Sequence, residues 1–387
     1  MIRKMLPSAA FPLWRVFMEL YIHIPFCARK CAYCDFLSFA GLNCQANYTD
    51  ALFRDIRAHG ETEIADPTVT SVFIGGGTPS LMPAGTYEML FSAIRESFCL
   101  TGDAEITIEC NPGTVTAEKL AEYRRAGINR LSFGAQSADD AELRMLGRIH
   151  TWSDVCSSVS LAREAGFDNI NIDLMMNLPG QTKERMLASI DRTVALGPSH
   201  ISAYSLILEE GTQFYERYVD HPEFLPDEDA AAEAYESAVK RLVEYGYAQY
   251  EISNFAKPGY ACRHNIGYWK RDEYLGIGLG AASLIGLKRF SVTRDLSFYL
   301  EELSYENTEE LTDRDIRNET VMLGFRLNEG IDLSDLAERF GSEYAERIGK
   351  LTERFAEQGL IEKCGSVRRF TVRGMLVSNS ILTDLME

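Results

Sequence analysis

Residues 20–36, LYIHIPFCARKCAYCDF, start as an alternating strand (LYIHI, 20–24) and run straight into three cysteines, Cys27, Cys31 and Cys34. Outward from this stretch, further short apolar or alternating segments recur at SVFIG (71–75), EITIE (105–109), RLSFG (130–134), NINIDLM (170–176) and HISAYSL (200–206). Helix-patterned stretches fill each gap, among them TAEKLAEYRRAG, in which Thr116 is the expected N-cap and Gly127 the expected end. Six strands alternating with helices predict an α/β fold with a parallel sheet, here a partial, TIM-like (βα)6 barrel. Barrels of this kind gather ligand chemistry at the C-terminal ends of their strands. Cys27 follows the first strand, Gly75 to Thr78 the second, and Glu109, Gln136 and Asp173 fall at the ends of later ones.

The CxxxCxxC spacing supplies three thiolates and no fourth. That suits a cubane iron-sulfur cluster with one iron open to a ligand, and it suits structural zinc badly, because zinc takes four ligands in paired knuckles and no second knuckle exists. The other six of nine cysteines are scattered singly and read as small buried hydrophobes rather than a disulfide framework.

With Tyr33 just before its third cysteine, this motif resembles the signature of the radical S-adenosylmethionine (SAM) superfamily. YIHIPFC, GGGTPS, ECNPGT, LGRIH, NIDLMMNLPG and HNIGYW resemble one branch of it, the family of oxygen-independent coproporphyrinogen III oxidases and HemW-type heme chaperones, from about Leu20 to the C-terminus. The resemblance implies a radical SAM barrel in which Cys27, Cys31 and Cys34 hold a [4Fe-4S] cluster and the fourth iron binds SAM. It assigns SAM contacts to Tyr21, Gly76, Gly77, Thr78 and Glu109, and places Gln136, Arg148 and Asp173 at positions that serve a second SAM in the oxidase. Ser205 and Ala282 align more loosely with the same set. No residue is assigned a catalytic role.

HNIGYW offers His264 as an imidazole ligand for heme iron and Tyr268 and Trp269 as flat faces for a porphyrin. Lys257, Arg263, Lys270 and Arg271 are then candidate partners for its propionates. A histidine beside aromatics is equally a familiar satisfied core residue, and the resemblance, through the HNxxYW motif of the heme chaperones, favours heme.

The 387 residues divide on this reading into an N-terminal extension (1–17), the barrel (18–206), an α/β extension carrying HNxxYW (207–300) and a C-terminal unit (301–387). In the extension, DEDAAAEAYESAVKRLVEYG is a helix capped by Asp227, and ELSYENTEE (302–310) is expected as a less ordered acidic link. Beyond it, three helical stretches and the pair LIEKC and RRFTV around Gly365 outline a winged helix. Its nineteen acidic against eleven basic side chains speak against DNA, so packing or a lid role is expected. A net charge of −18 opposes nucleic acid and anionic membranes alike. Pro7, Pro12 and Arg15 interrupt the apolar start, no run of eighteen apolar residues follows, and reduced thiolates predict a cytoplasmic protein, monomer or dimer.

Two functions share this barrel: a heme chaperone that passes heme to an acceptor protein, and a coproporphyrinogen III oxidase yielding protoporphyrinogen IX. The run from Asp35 lacks the further cysteine of the oxidase, the oxidase's long N-terminal segment is missing, and HNIGYW is present. All three favour the chaperone. Either function calls for an electron donor such as a flavodoxin or ferredoxin.

Overall fold

The computed structural model describes residues 17–60 and 68–386. The expected N-terminal extension, apart from Phe17, lies outside the described residues. The six expected strands are β1 (Phe17–Ile24), β2 (Thr68–Gly76), β3 (Cys99–Cys110), β4 (Arg130–Gln136), β5 (Asn169–Met176) and β6 (His200–Ser205). Each pairs in parallel with the next. Their apolar runs are buried because helices cover the strands, which is the usual reason parallel strands lose strict alternation.

The covering helices are α1 (Gln45–Gly60), α2 (Thr86–Ser97), α3 (Ala117–Ala126), α4 (Asp140–Met145), α5 (Trp152–Glu164) and α6 (Lys183–Ala195). α3 starts and stops where its chemistry dictates. The Thr116 hydroxyl accepts from the Lys119 amide at 3.3 Å, and Gly127 at φ 99° provides the left-handed turn that ends it.

After α7 (Gln213–Tyr218) and α8 (Glu228–Glu244), whose N-cap is the expected Asp227, the sheet is extended at both edges. β7 (Ala248–Gln249) and β8 (Asn254–Ala256) add antiparallel beside β6. Past α9 (Arg263–Lys270), β9 (Glu273–Ile277) pairs in parallel with β1 on the side away from β2. This seventh parallel strand was not expected. Its five residues sit in a glycine-rich stretch, and only pairing across some 250 residues of chain makes them a strand. β10 (Ala282–Ile285), β11 (Lys288–Val292) and, after α10 (Leu296–Glu301), β12 (Tyr305–Glu310) complete the order β12-β11-β10-β9-β1-β2-β3-β4-β5-β6-β8-β7. The expectation of a less ordered link at 302–310 is therefore corrected. It holds an edge strand whose exposed Glu306, Glu309 and Glu310 discourage pairing with another chain.

The C-terminal unit contains α11 (Asp313–Gly324), α12 (Leu333–Phe340) and α13 (Ser342–Glu357), with a small sheet of β13 (Ile331–Asp332), β15 (Val367–Phe370) and β14 (Ile361–Cys364) in that order. The expected hairpin turns at Gly365. Val321, Phe325, Ile348 and Phe355 from this unit share one apolar core with Met186 of α6 and Ala238 and Leu242 of α8. A core common to both keeps the unit against the sheet.

Candidate functional site

The chain leaves β1 through Pro25 and forms a two-residue parallel bridge, Phe26–Cys27 with Phe39–Ala40, which closes the cysteine loop. Cys27, Cys31 and Cys34 all line one cavity of roughly 350 Å³ at the C-terminal ends of the parallel strands. The Thr78 hydroxyl donates to Cys27 Sγ at 3.5 Å, and Arg148 Nη1 donates to Cys31 Sγ at 3.5 Å. Arg148 is held by its second nitrogen, Nη2, which donates to Asn111 Oδ1 at 2.5 Å and to the Gly134 carbonyl at 2.7 Å.

The turn after β2 is glycine for a steric reason. At Gly76 the backbone has φ 111°, and a Cβ would lie 2.5 Å from the His23 ring; at Gly77 it would lie 2.7 Å from the Phe26 carbonyl oxygen. Gly76 N–H in turn donates to Glu109 Oε2 at 3.1 Å. Burial, with the nearby Asp173 charge adding to it, lifts the Glu109 carboxyl to about 8, so it is largely protonated at neutral pH. Burial also raises Asp173, against hydrogen bonds from Asn171 and Ser202 and the pull of Arg130 and Arg148. Gln136 ends β4 at φ 70°, a left-handed conformation uncommon outside glycine, and accepts from the Tyr204 hydroxyl at 2.7 Å.

Of the expected site residues, Cys27, Cys31, Cys34, Gly76, Gly77, Thr78, Glu109, Gln136, Arg148 and Asp173 line this one cavity. Four do not. Ser205 is exposed and accepts from Asn177, one residue beyond the cavity wall formed by Tyr204. Tyr21 and Ala282 line a second, neighbouring cavity: Tyr21 bonds His23 Nδ1 at 3.0 Å and stacks on Phe73, itself a wall of the cluster cavity, and Ala282 belongs to the strands added beyond β9.

His264 lines neither cavity. Its Nδ1 sits 2.7 Å from Ser71 Oγ and its Nε2 3.1 Å from the Tyr268 hydroxyl, and burial depresses its pKa to about 3. Both nitrogens are engaged inside the protein, and the ring packs between Ser71 and Tyr268. Glu19 Oε2 is 3.8 Å from His264, but burial lifts Glu19 to about 9, so this contact joins two neutral groups and not an ion pair.

The expected propionate partners also separate. Lys257 lies over the Tyr247 ring, Arg263 pairs with Asp103, and Lys270 pairs with Glu329. Arg271 lines the second cavity. Sequence reasoning in turn passed over Asn111, Arg130, Ser132, Asn171 and Tyr204, which line the cluster cavity. A signal was present: 130, 132, 134 and 136 on β4, and 171 and 173 on β5, are the inward positions of a two-residue period and carry polar groups or glycine.

The cavity fits the groups the cysteine motif calls for. Buried Arg130 Nε and Arg148 Nε have no hydrogen-bond partner among the described residues, and two glycines leave backbone open at the rim. Among the described residues no three His, Cys, Asp or Glu side chains converge closely enough to enclose a single metal ion. Three thiols facing one cavity at wider spacing have room for a cluster, with cationic and amide donors left for a carboxylate-bearing ligand.

Comparison with known proteins agrees with this geometry. The radical SAM superfamily model matches residues 21–193, and the HemN C-terminal domain model matches 311–377. The heme chaperone HemW of Bacillus subtilis is 36% identical over 93% of this chain and 97% of its own, and that of Escherichia coli 36% identical over 94% and 97%. Among solved structures, the coproporphyrinogen III oxidase HemN of Escherichia coli, a radical SAM enzyme, superposes with a TM-score of 0.82. It is 25% identical, covering 96% of this chain and 90% of its own.

Proposed function

The chain belongs to the HemW heme chaperones of the radical SAM superfamily, and from that premise we propose that it binds heme and passes it to an acceptor protein. A [4Fe-4S] cluster on Cys27, Cys31 and Cys34, with SAM beside it, occupies the strand-end cavity. The observation that carries this reading is the convergence of those three thiols with Gly76, Gly77 and Glu109 on one cavity, in a chain that matches heme chaperones over nearly its whole length.

When bound, cluster and SAM supply one-electron chemistry that belongs to the cofactors. The chain's own residues do the rest. Arg148 and Thr78 steady the thiolates. The Gly76–Gly77 turn would let backbone approach SAM, and Glu109, held by the Gly76 N–H at 3.1 Å, would be the carboxyl group beside it. A small electron-transfer protein such as a flavodoxin or ferredoxin reduces the cluster, in the cytoplasm, where thiolates stay reduced. No helix among the described residues is long and apolar enough to cross a membrane.

Anaerobically reconstituted protein is expected to show iron-sulfur absorbance, and added hemin to develop a Soret band that moves to an apo-acceptor on mixing. Replacing Cys27, Cys31 and Cys34 together by Ser is expected to abolish the cluster absorbance while the circular dichroism stays. Consumption of coproporphyrinogen III, with hemin bound no better than by an unrelated acidic protein, would instead make the protein an oxidase.

A further inference from the structure

The strand-end cavity has a floor as well as a rim. β4 sends Arg130 and Ser132 inward from one face, nearer the start of the strand than Gly134 and Gln136. Asn171 of β5, Ser202 of β6, Asn254 of β8 and Asn265 of α9 close the floor around them.

Arg130 is 2% exposed and forms no hydrogen bond or ion pair with any described residue; its buried Nε has no acceptor. Glu105 and Asp173 favour its charge through space, but each is bonded to other donors. Glu105 Oε1 accepts from the His264 amide at 3.3 Å and lies 3.4 Å from Cys262 Sγ, and Asp173 Oδ1 accepts from Asn171 Nδ2 at 2.7 Å. A buried guanidinium without hydrogen-bond partners costs free energy unless a ligand supplies the acceptor.

The ligand on the cluster is not that acceptor. Arg148, which joins Cys31 Sγ to the Gly134 carbonyl, is the cation at the level of the cysteines. Arg130 precedes Gly134 by four strand residues, about 13 Å along β4. Beside it, Ser132 Oγ accepts from Asn171 Nδ2 at 2.8 Å and has no acceptor for its own proton among the described residues. Asn254 Oδ1 is buried without a donor. The floor therefore leaves donors open at Arg130 and Ser132 and an acceptor open at Asn254, which a molecule carrying a carboxylate and an N–H or O–H group satisfies together. Arg29 and Lys30, exposed in the cysteine loop, put positive charge at the mouth of the same cavity and draw anions past an otherwise acidic surface.

We propose that this floor is a second ligand site, which takes a small amino or hydroxy acid with its carboxylate on Arg130 and Ser132 and its ammonium or hydroxyl donating to Asn254. The site stands on β4 and its neighbours and does not depend on heme.

The test uses full-length, cluster-loaded protein saturated with SAM. Glycine and lactate labelled at the carboxyl carbon are titrated against it and read by saturable broadening of that carbon's NMR line, with glycinamide and lactamide, which lack the carboxylate, as counterparts. At least one acid should bind, about tenfold or more tightly than its amide. Arg130→Met should weaken that acid about tenfold or more and Ser132→Ala about threefold, with cluster absorbance at the wild-type level as the control for folding. Should Arg130→Met fail to load a cluster, Ser132→Ala carries the comparison. Wild-type affinity in a variant that loads its cluster, or acids that bind no better than their amides, overturns the assignment. Loss of SAM affinity in Arg130→Met, with both acids silent in the wild type, gives Arg130 to SAM itself and overturns it too. All of these outcomes leave the chaperone reading intact.

Discussion

Glu109 shows how one side chain records what its cavity expects. Left without a cation, its buried carboxyl holds a proton up to about pH 8, and Glu19, buried beneath α9, does so to about 9. Both folded values stand above the ordinary 4.5, so the folded chain binds more protons than the unfolded one across that window. Stability contributed by the neutral carboxyls is full below pH 4.5 and is lost as pH rises through 8 and 9. Buried His264 acts in the opposite sense but only below about 6.5, its unfolded value, because its folded value is depressed to about 3. Thermal melting of the ligand-free protein is therefore expected to fall from pH 6.5 to pH 9, and Glu109→Gln to make the decline shallower. An unchanged slope in that variant would show that Glu109 ionises freely in the fold.

At the scale of an element, α9 is the clearest case of position deciding meaning. Its eight residues place Asn265 toward one cavity, Tyr268 and Trp269 toward the other, and His264 inward to Ser71. Gly267 lets the helix lie on β1, since a Cβ there would run into the Glu19 carboxyl. Helix propensity alone favours alanine over glycine by about 1 kcal/mol. Overpacking a buried site costs about 1–3 kcal/mol, and the enclosed Glu19 carboxyl has little room to swing away, so the clash wins. Gly267→Ala should lower the denaturant midpoint with an unchanged m-value. A stabilised variant would mean that Glu19 swings aside.

Across the whole molecule, a shared core ties the C-terminal unit to the sheet. Phe325 of the C-terminal unit is fully buried against the Phe370 ring, 4.8 Å between centroids, in the cluster that includes α6 and α8. Phe325→Ala is expected to cost about 3–5 kcal/mol, read as a lower denaturant midpoint. A midpoint at the wild-type value would show that the unit holds without this ring. The sequence by itself determined the six-strand alternation, the caps at Thr116 and Asp227, and the seven residues that meet around the three cysteines, because strand periodicity and turn chemistry are local and the strand ends of a parallel sheet gather in one place. Only the tertiary structure decided that β9 joins the sheet beside β1, that Tyr21 and Ala282 face a different cavity, and that His264 is enclosed. Those outcomes depend on pairing and packing between segments some 250 residues apart, where no short pattern records which side of a strand or helix meets a neighbour.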